Sequence, residues 1–253
     1  NLFRVVSTGQ KVVDIALALG ADTGASDSDK FTKLTNPEIR LDLTSATSVI
    51  SVGNSVTVKF GAIEAFRGIV TAADIQRGFM QFTFSDVDPS TNGPREGSRA
   101  LAVVVRDTVK NIDIASGFLA ITIDKTAPLP ATLARDFAGG DSNINFLEAL
   151  NGVNLQGQAE IGALVQVKVG LEVFTASRSG ENWSLNLSAA DIARIGDGAS
   201  KDLELIVIDL AGNVSSSTKY PLSIDTRPQS LTLSPNKIAG DDVINLAESG
   251  EVV

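Results

Sequence analysis

Thirty Asp and Glu side chains, with no His and no Cys, leave this chain well supplied for one chemistry, the coordination of a hard cation by oxygen. Without His the commonest general base is missing, and without Cys there are no thiolate nucleophiles, disulfides or thiolate zinc sites. The acids are clustered. Asp22, Asp27 and Asp29 fall within one short stretch, Asp141, Asn143 and Asn145 take alternate positions, and Asp241 and Asp242 are adjacent. Two carboxylates ~4 Å apart repel by about 1 kcal/mol in water and by more when partly buried, so a cation relieves a cost that the bare cluster carries. The spacing of Asp141, Asn143 and Asn145 matches the opening of an EF-hand, but Phe146 stands where that loop needs Gly and Gly152 where it needs Glu. An EF-hand is therefore excluded. No spacing singles out a pair of catalytic carboxylates, so no catalytic residue and no enzymatic activity is expected.

The net charge is −9, the wrong sign for tracking phosphates or settling on anionic lipid, so neither nucleic acid nor membrane insertion is expected. Residues 1–126 carry 13 basic and 14 acidic side chains and residues 127–253 carry 8 and 16, which places nearly all the excess in the second half. No apolar run approaches the roughly 18 residues that span a bilayer. The chain opens at Asn1 without an initiator Met or a signal segment and reads as a soluble piece of a longer protein.

An internal repeat organises these acids. Gly140-Asp141-Ser142-Asn143-Ile144-Asn145-Phe146-Leu147-Glu148 returns 100 residues later as Gly240-Asp241-Asp242-Val243-Ile244-Asn245-Leu246-Ala247-Glu248, and Pro128 returns as Pro228. Residues 105–111, which include Asp107, echo residues 207–213, which include Asp209, and Thr71-Ala72-Ala73-Asp74-Ile75 echoes Ser188-Ala189-Ala190-Asp191-Ile192. On that alignment the first unit holds about 15 extra residues between Gly78 and Asn92, among them an extra strand, Phe79-Met80-Gln81-Phe82-Thr83-Phe84.

Within each unit the hydrophobic period is two. Val165, Val167 and Val169 alternate with Gln166 and Lys168, and Trp183, Leu185 and Leu187 alternate with Ser184 and Asn186. Similar runs cover residues 38–43, 55–60, 79–84, 101–105 and 201–209, separated by turn signals such as Ser179-Gly180 and Ala211-Gly212-Asn213. About seven short strands per 100 residues indicate an all-β chain of Ig-like Greek-key sandwiches. Helix is expected only in short turns, at residues 189–195 and after Asn145 and Asn245, where Asn-x-x-Glu has capping-box order. Trp183 is expected in the core and Tyr220, before Pro221, on an edge strand. The linkers Asp124-Lys125-Thr126-Ala127-Pro128 and Asp225-Thr226-Arg227-Pro228 are short, and proline stiffens each. The expected division is a preceding tail over residues 1–13, sandwiches over 14–126 and 127–227, and the start of a third over 228–253.

The Asp-Lys-Thr-Ala-Pro linker, the Gly-Asp-x-x-Ile-Asn-x-x-Glu loops at 140–148 and 240–248, the Ala-Ala-Asp-Ile turn at Asp191 and the Asp-Leu-Ala-Gly-Asn turn at 209–213 resemble the tandem bacterial Ig-like repeats of giant type I-secreted, RTX-type adhesins. In the first unit, Asp22-Thr23-Gly24-Ala25-Ser26-Asp27-Ser28-Asp29 is similar to the variant that replaces the Gly-Asp loop. The resemblance implies a protein secreted to the bacterial cell surface, where long arrays of repeats present a distal binding domain for adhesion and biofilm formation. It also implies Ca²⁺ stiffening the joints and a receptor met through other domains.

In an Ig-like sandwich the A–B loop and the end of the last strand share one pole and the F–G turn lies at the other, so each joint collects acids from two units. The first joint would gather Asp22, Asp27, Asp29 and Asp124 with Asp209 of the following unit, and the second Asp141, Asn143 and Asp225. Asp107, the first-unit counterpart of Asp209, and Asp241 and Asp242 complete the candidate metal ligands. An alternative function makes the first unit, with its extra strand and the loop over residues 86–98, a glycan- or protein-binding module.

Overall fold

The computed structural model describes residues 11–44, 49–84, 87–88, 93–94 and 96–227. Strands β1 (Lys11–Val12), β2 (Ile15–Leu17), β3 (Phe31–Thr32), β4 (Glu38–Asp42), β5 (Ser55–Phe60), β6 (Ile63–Ile69), β7 (Phe79–Thr83), β8 (Val87–Asp88), β9 (Gly93–Pro94), β10 (Gly97–Asp107) and β11 (Ile112–Ile123) belong to the first unit, with helix α1 (Ala72–Arg77). The second unit contains β12 (Asn143–Asn145), β13 (Val153–Gln158), β14 (Leu164–Val169), β15 (Glu172–Thr175), β16 (Ser177–Ser179), β17 (Asn182–Leu187), β18 (Gly198–Ile208) and β19 (Thr218–Asp225), with helices α2 (Phe146–Asn151) and α3 (Ala189–Ile195).

Period-two alternation buries one face of each strand, and two sheets close over each buried face. In the first unit the order β1-β11-β10-β5-β6, with β3 also on β11, faces β2-β4-β7; in the second, β12-β19-β18-β14-β15 faces β13-β17-β16. Sequence neighbours are repeatedly not sheet neighbours, as in Greek-key sandwiches of the Ig-like kind. Two separate cores result, one around Ile39, Leu41, Val56, Val58, Leu101 and Leu119, the other around Val165, Val167, Trp183, Leu203, Leu205 and Val207. Trp183 is 1% exposed and its Nε1 donates to the Thr132 carbonyl at 3.0 Å, so the indole is a core residue with its one polar atom satisfied. The entry strands pair in parallel with the exit strands: β1 and β3 with β11, and β12 with β19.

Three expectations need correction. The segment at 79–84 is not an added strand. β7 pairs with β4 from Glu38↔Thr83 to Asp42↔Phe79, and Met80, Phe82 and Phe84 are buried, so it completes the second sheet as β17 does beside β13. The units differ in where the helix stands: α1 precedes β7, whereas α3 follows β17. The shared Ala-Ala-Asp-Ile is a capping box in both helices, Thr71 with Asp74 and Ser188 with Asp191, and a local cap carries no information about strand order. The Tyr220 strand is not an edge strand either, since β19 lies between β12 and β18; Pro221 is tolerated because β12 pairs only with Ser223–Asp225. The expected tail over residues 1–13 ends too late, because β1 pairs with β11 and Val13 is buried in the first core, so residues 11–13 belong to the first unit. Residues 1–10 and 228–253, with the rest of that tail and the expected third unit, and much of the loop over 86–98 lie outside the described residues.

Candidate functional site: the joint between the units

The A–B loop of the first unit is held by its own acids. The Asp22 Oδ2 accepts the Lys30 amide at 2.9 Å, the Asp29 Oδ1 accepts the Phe31 amide at 3.1 Å, and the Thr23 amide donates to the Phe31 carbonyl at 3.0 Å. The F–G turn of the second unit is similarly self-braced: Asp209 accepts the Asn213 amide and side chain at 2.8 and 2.9 Å and is 4% exposed. The two segments meet. Thr23 Oγ1 donates to the Ala211 carbonyl, Lys33 Nζ to the Gly212 carbonyl at 2.8 Å, and Asn213 Nδ2 to the Asp124 carbonyl at 2.9 Å, leaving Ala211 fully buried.

A pair of glycines permits this approach. A Cβ on Gly24 would lie 2.1 Å from the Leu210 carbonyl oxygen, and one on Gly212 would lie 2.8 Å from the Gly24 nitrogen. Backbone meets backbone here, and both residues sit at positive φ, +99° and +84°.

The negative charge around this contact is not fully compensated. Asp22 Oδ1 is buried without a hydrogen-bond partner, and burial, with Asp29 and Asp27 adding repulsion, holds the Asp22 carboxyl above its usual range despite the Lys30 amide. Across the joint, burial and then the charges of Asp209 and Asp124 push the Glu160 carboxyl up as well. A cavity of about 320 Å³ between the units is lined by Ser26 and Asp29 on one side and Arg178, Asp209 and Leu210 on the other. Arg178 gives one nitrogen to the Glu160 and Gly180 carbonyls at 2.5 and 2.8 Å, while Nε and Nη1 are buried without a partner.

The anticipated acids are therefore distributed unevenly. Asp29 and Asp209 line the joint cavity, Asp27 and Asp29 lie near enough to repel Asp22, and Asp124 and Asp209 act on Glu160 across the joint. Asp107 lies in the first unit's own F–G turn, accepting the Val109 and Lys110 amides at 3.0 and 2.9 Å and pairing with Lys110. Asp141 braces the Asn143 amide at 2.8 Å, and Asn143 bonds Ser223. Asp225 pairs with Arg227 at 3.1 Å. Asp241 and Asp242 lie outside the described residues.

Sequence reasoning missed Glu160, Arg178 and a matched pair of linker clamps. Glu96 accepts the Lys125 amide and the Thr126 hydroxyl at 3.0 and 2.9 Å, and Asp197 accepts the Thr226 amide and hydroxyl at 3.0 and 2.8 Å. Their signal was the threonine that both linkers carry within two residues of the acid.

The donors at the joint are carboxylate, amide and carbonyl oxygens, which suit a hard cation, and the unpartnered Asp22 Oδ1 is the atom most in need of one. Among the described residues no three carboxylates form a ready-made metal cage, so a cation would have to draw its ligands closer.

No protein-family profile and no curated protein matches the sequence. Among solved structures, the fibronectin(III)-like modules of CbhA from Clostridium thermocellum align over 88% of this chain and 99% of theirs, with a TM-score of 0.51 at 13% identity. Domains of a 1.5-MDa bacterial ice-binding adhesin align at 18% identity over 86% of this chain, with a TM-score of 0.34. A tetra-tandem repeat from the extending region of a large adhesion protein does so at 18% over 85%, also with a TM-score of 0.34. The chain spans 66% and 49% of the length of those last two. The CbhA likeness places the fold, two sandwiches of the Ig and fibronectin type III kind in tandem.

Proposed function

We infer that this chain is a spacer segment of a large bacterial surface adhesin, in which Ca²⁺ at the joints stiffens a rod that presents a distal binding domain. The observation that carries the reading is the joint itself. A flexible tether needs no inter-unit contact, whereas here a buried turn, a glycine pair matched across the interface and three cross-joint hydrogen bonds hold one unit on the next. The adhesin assignment rests on the linker, loop and turn motifs. Asp22, Asp27, Asp29 and Asp124 from the first unit, with Asp209 and Glu160 from the second, are the residues that would hold the ion. Bound there, it would supply positive charge beside Asp22, and beside Glu160 beyond what Arg178 already gives. At a Kd of ~10⁻⁴ M, a hundredfold excess of Ca²⁺ favours the bound joint by about 2.7 kcal/mol. The alternative role for the first unit as a binding module loses its extra strand, since β7 belongs to the core.

Small-angle scattering with thermal melts, in EDTA and in millimolar Ca²⁺, tests this on the parent and on a variant carrying Asp22→Asn and Asp29→Asn. The parent is expected to become more extended and more stable with Ca²⁺ and the variant to be indifferent. Identical curves for the parent in both buffers overturn the calcium reading.

A further inference from the structure

The pole of the second unit that points away from the first carries an apolar surface that stays exposed among the described residues. Register places it: Asn145 pairs with Asp225, so α2 begins where the last strand ends. Its capping box, Asn145 with Glu148, faces its own backbone, and Ala149 goes into the core. Phe146, Leu147 and Leu150 are left 46, 65 and 64% exposed on a helix of six residues. Such a concentration on one short element is unusual for a free surface.

The first unit shows what this place in the fold is for. Its strand β3 pairs in parallel with the exit strand β11 as β12 does with β19, and the residue after β3 is Lys33, whose Nζ bonds the Gly212 carbonyl of the following unit. The segment after the parallel entry strand is thus an inter-unit contact in the one joint described. We propose that the exposed apolar face of α2 seats the F–G turn of the Ig-like unit that follows, a small apolar turn of the Leu210-Ala211-Gly212 kind. Leu147 and Leu150 are the specific part of that seat. The third copy of the loop keeps Asn245 and Glu248 in sequence but has Ala247 and Gly250 in their places. This inference rests on the spacer reading and assigns the second joint an apolar contact where the first uses polar backbone and acids.

The test is a three-unit chain, residues 1–227 followed directly by a second copy of 128–227, which restores an Asp-Thr-Arg-Pro linker. With no native Cys, Leu147→Cys in the first copy and Ala211→Cys in the added copy are expected to cross-link under mild oxidation, and a control pair with Val109→Cys is not. Phe146→Glu with Leu150→Glu, both at exposed sites, should reduce the cross-linked fraction at least tenfold and widen the scattering envelope, with Trp183 emission unchanged as the folding control. No cross-link, or an equal one in the Glu variant, from a chain that still scatters as a straight rod overturns the seat and leaves the spacer reading standing. A chain flexible at both joints overturns both.

Discussion

Replacing Gly24 by Ala puts a methyl group 2.1 Å from the Leu210 carbonyl oxygen and 3.0 Å from its carbon, backbone atoms that cannot swing aside. The φ of +99° adds a strain of roughly 1–2 kcal/mol for a residue with a Cβ. Gly20 separates the two effects, because it has a φ of +80° with nothing within 4 Å of its own added Cβ. Gly20→Ala should therefore destabilise the first unit by that strain alone and leave the joint closed. Gly24→Ala should in addition part the units and break the three cross-joint hydrogen bonds. At a net ~1 kcal/mol each, their loss amounts to about 3 kcal/mol, or roughly a hundredfold in the ratio of closed to open joint. Scattering reads the spread of inter-unit angles, and amide exchange at Ala211 and Gly212 reads the opening directly. If Gly24→Ala matches Gly20→Ala in both, the glycine pair is incidental and the joint is held by something else.

Other outcomes follow from the same geometry. Asp22 and Glu160 have folded-state carboxyls above their unfolded values, so their ionisation opposes the folded joint: the cost is absent below the unfolded values near pH ~4 and grows as pH rises through the folded ones. Asp22→Asn with Glu160→Gln should accordingly raise the melting temperature in EDTA at pH 7, and the gain should vanish near pH 4; a gain that persists there refutes the charge argument. Asp74, held low by Thr71 and Arg77 against burial, which raises it, and Asp191, held low chiefly by the Ser188 hydroxyl, work the other way. Their caps are lost as pH falls through those depressed values, and melts of Asp191→Asn should lose that acid dependence. Trp183→Phe leaves the Thr132 carbonyl without the indole donor and shrinks a side chain in the second core, at a cost of about 2–4 kcal/mol. Differential scanning calorimetry should show the second unit's transition fall while the first unit, with its own core, keeps its own. Thr126→Val removes the hydroxyl bond to Glu96, and amide exchange at Lys125 and Thr126 should quicken; unchanged exchange would show the clamp to be slack.

Strands, caps and cores were legible because their signals are local. Ser55–Phe60 stands where its alternation put it, Trp183 fills the core, and Asn145 with Glu148 caps α2. The parallel strands β1, β3 and β12, of two or three residues each, were not legible, since runs so short hold no periodicity. β7 was misplaced because a repeated capping box aligned two helices that occupy different points in the strand order. At the joint, the acids showed themselves through clustering. Glu160 stands alone in sequence and reaches Asp124 and Asp209 only through the fold. The glycine pair, 188 positions apart, needed both units in place before either residue had a partner.

The parallel pairing of entry and exit strands decides how such a chain meets a pull along its length. Tension enters a unit near its first strands and leaves through its last, which in the second unit are β12 and β19, side by side and pointing the same way. The force then runs along the strands and across their hydrogen bonds. Asn143–Asn145 must slide past Ser223–Asp225 as a block, whereas an antiparallel hairpin pulled from its open end would peel one bond at a time. Lys11–Val12 and Phe31–Thr32 stand in the same relation to β11. Both sandwiches are thus oriented to resist stretching in shear, the stiffer of the two directions a sheet offers.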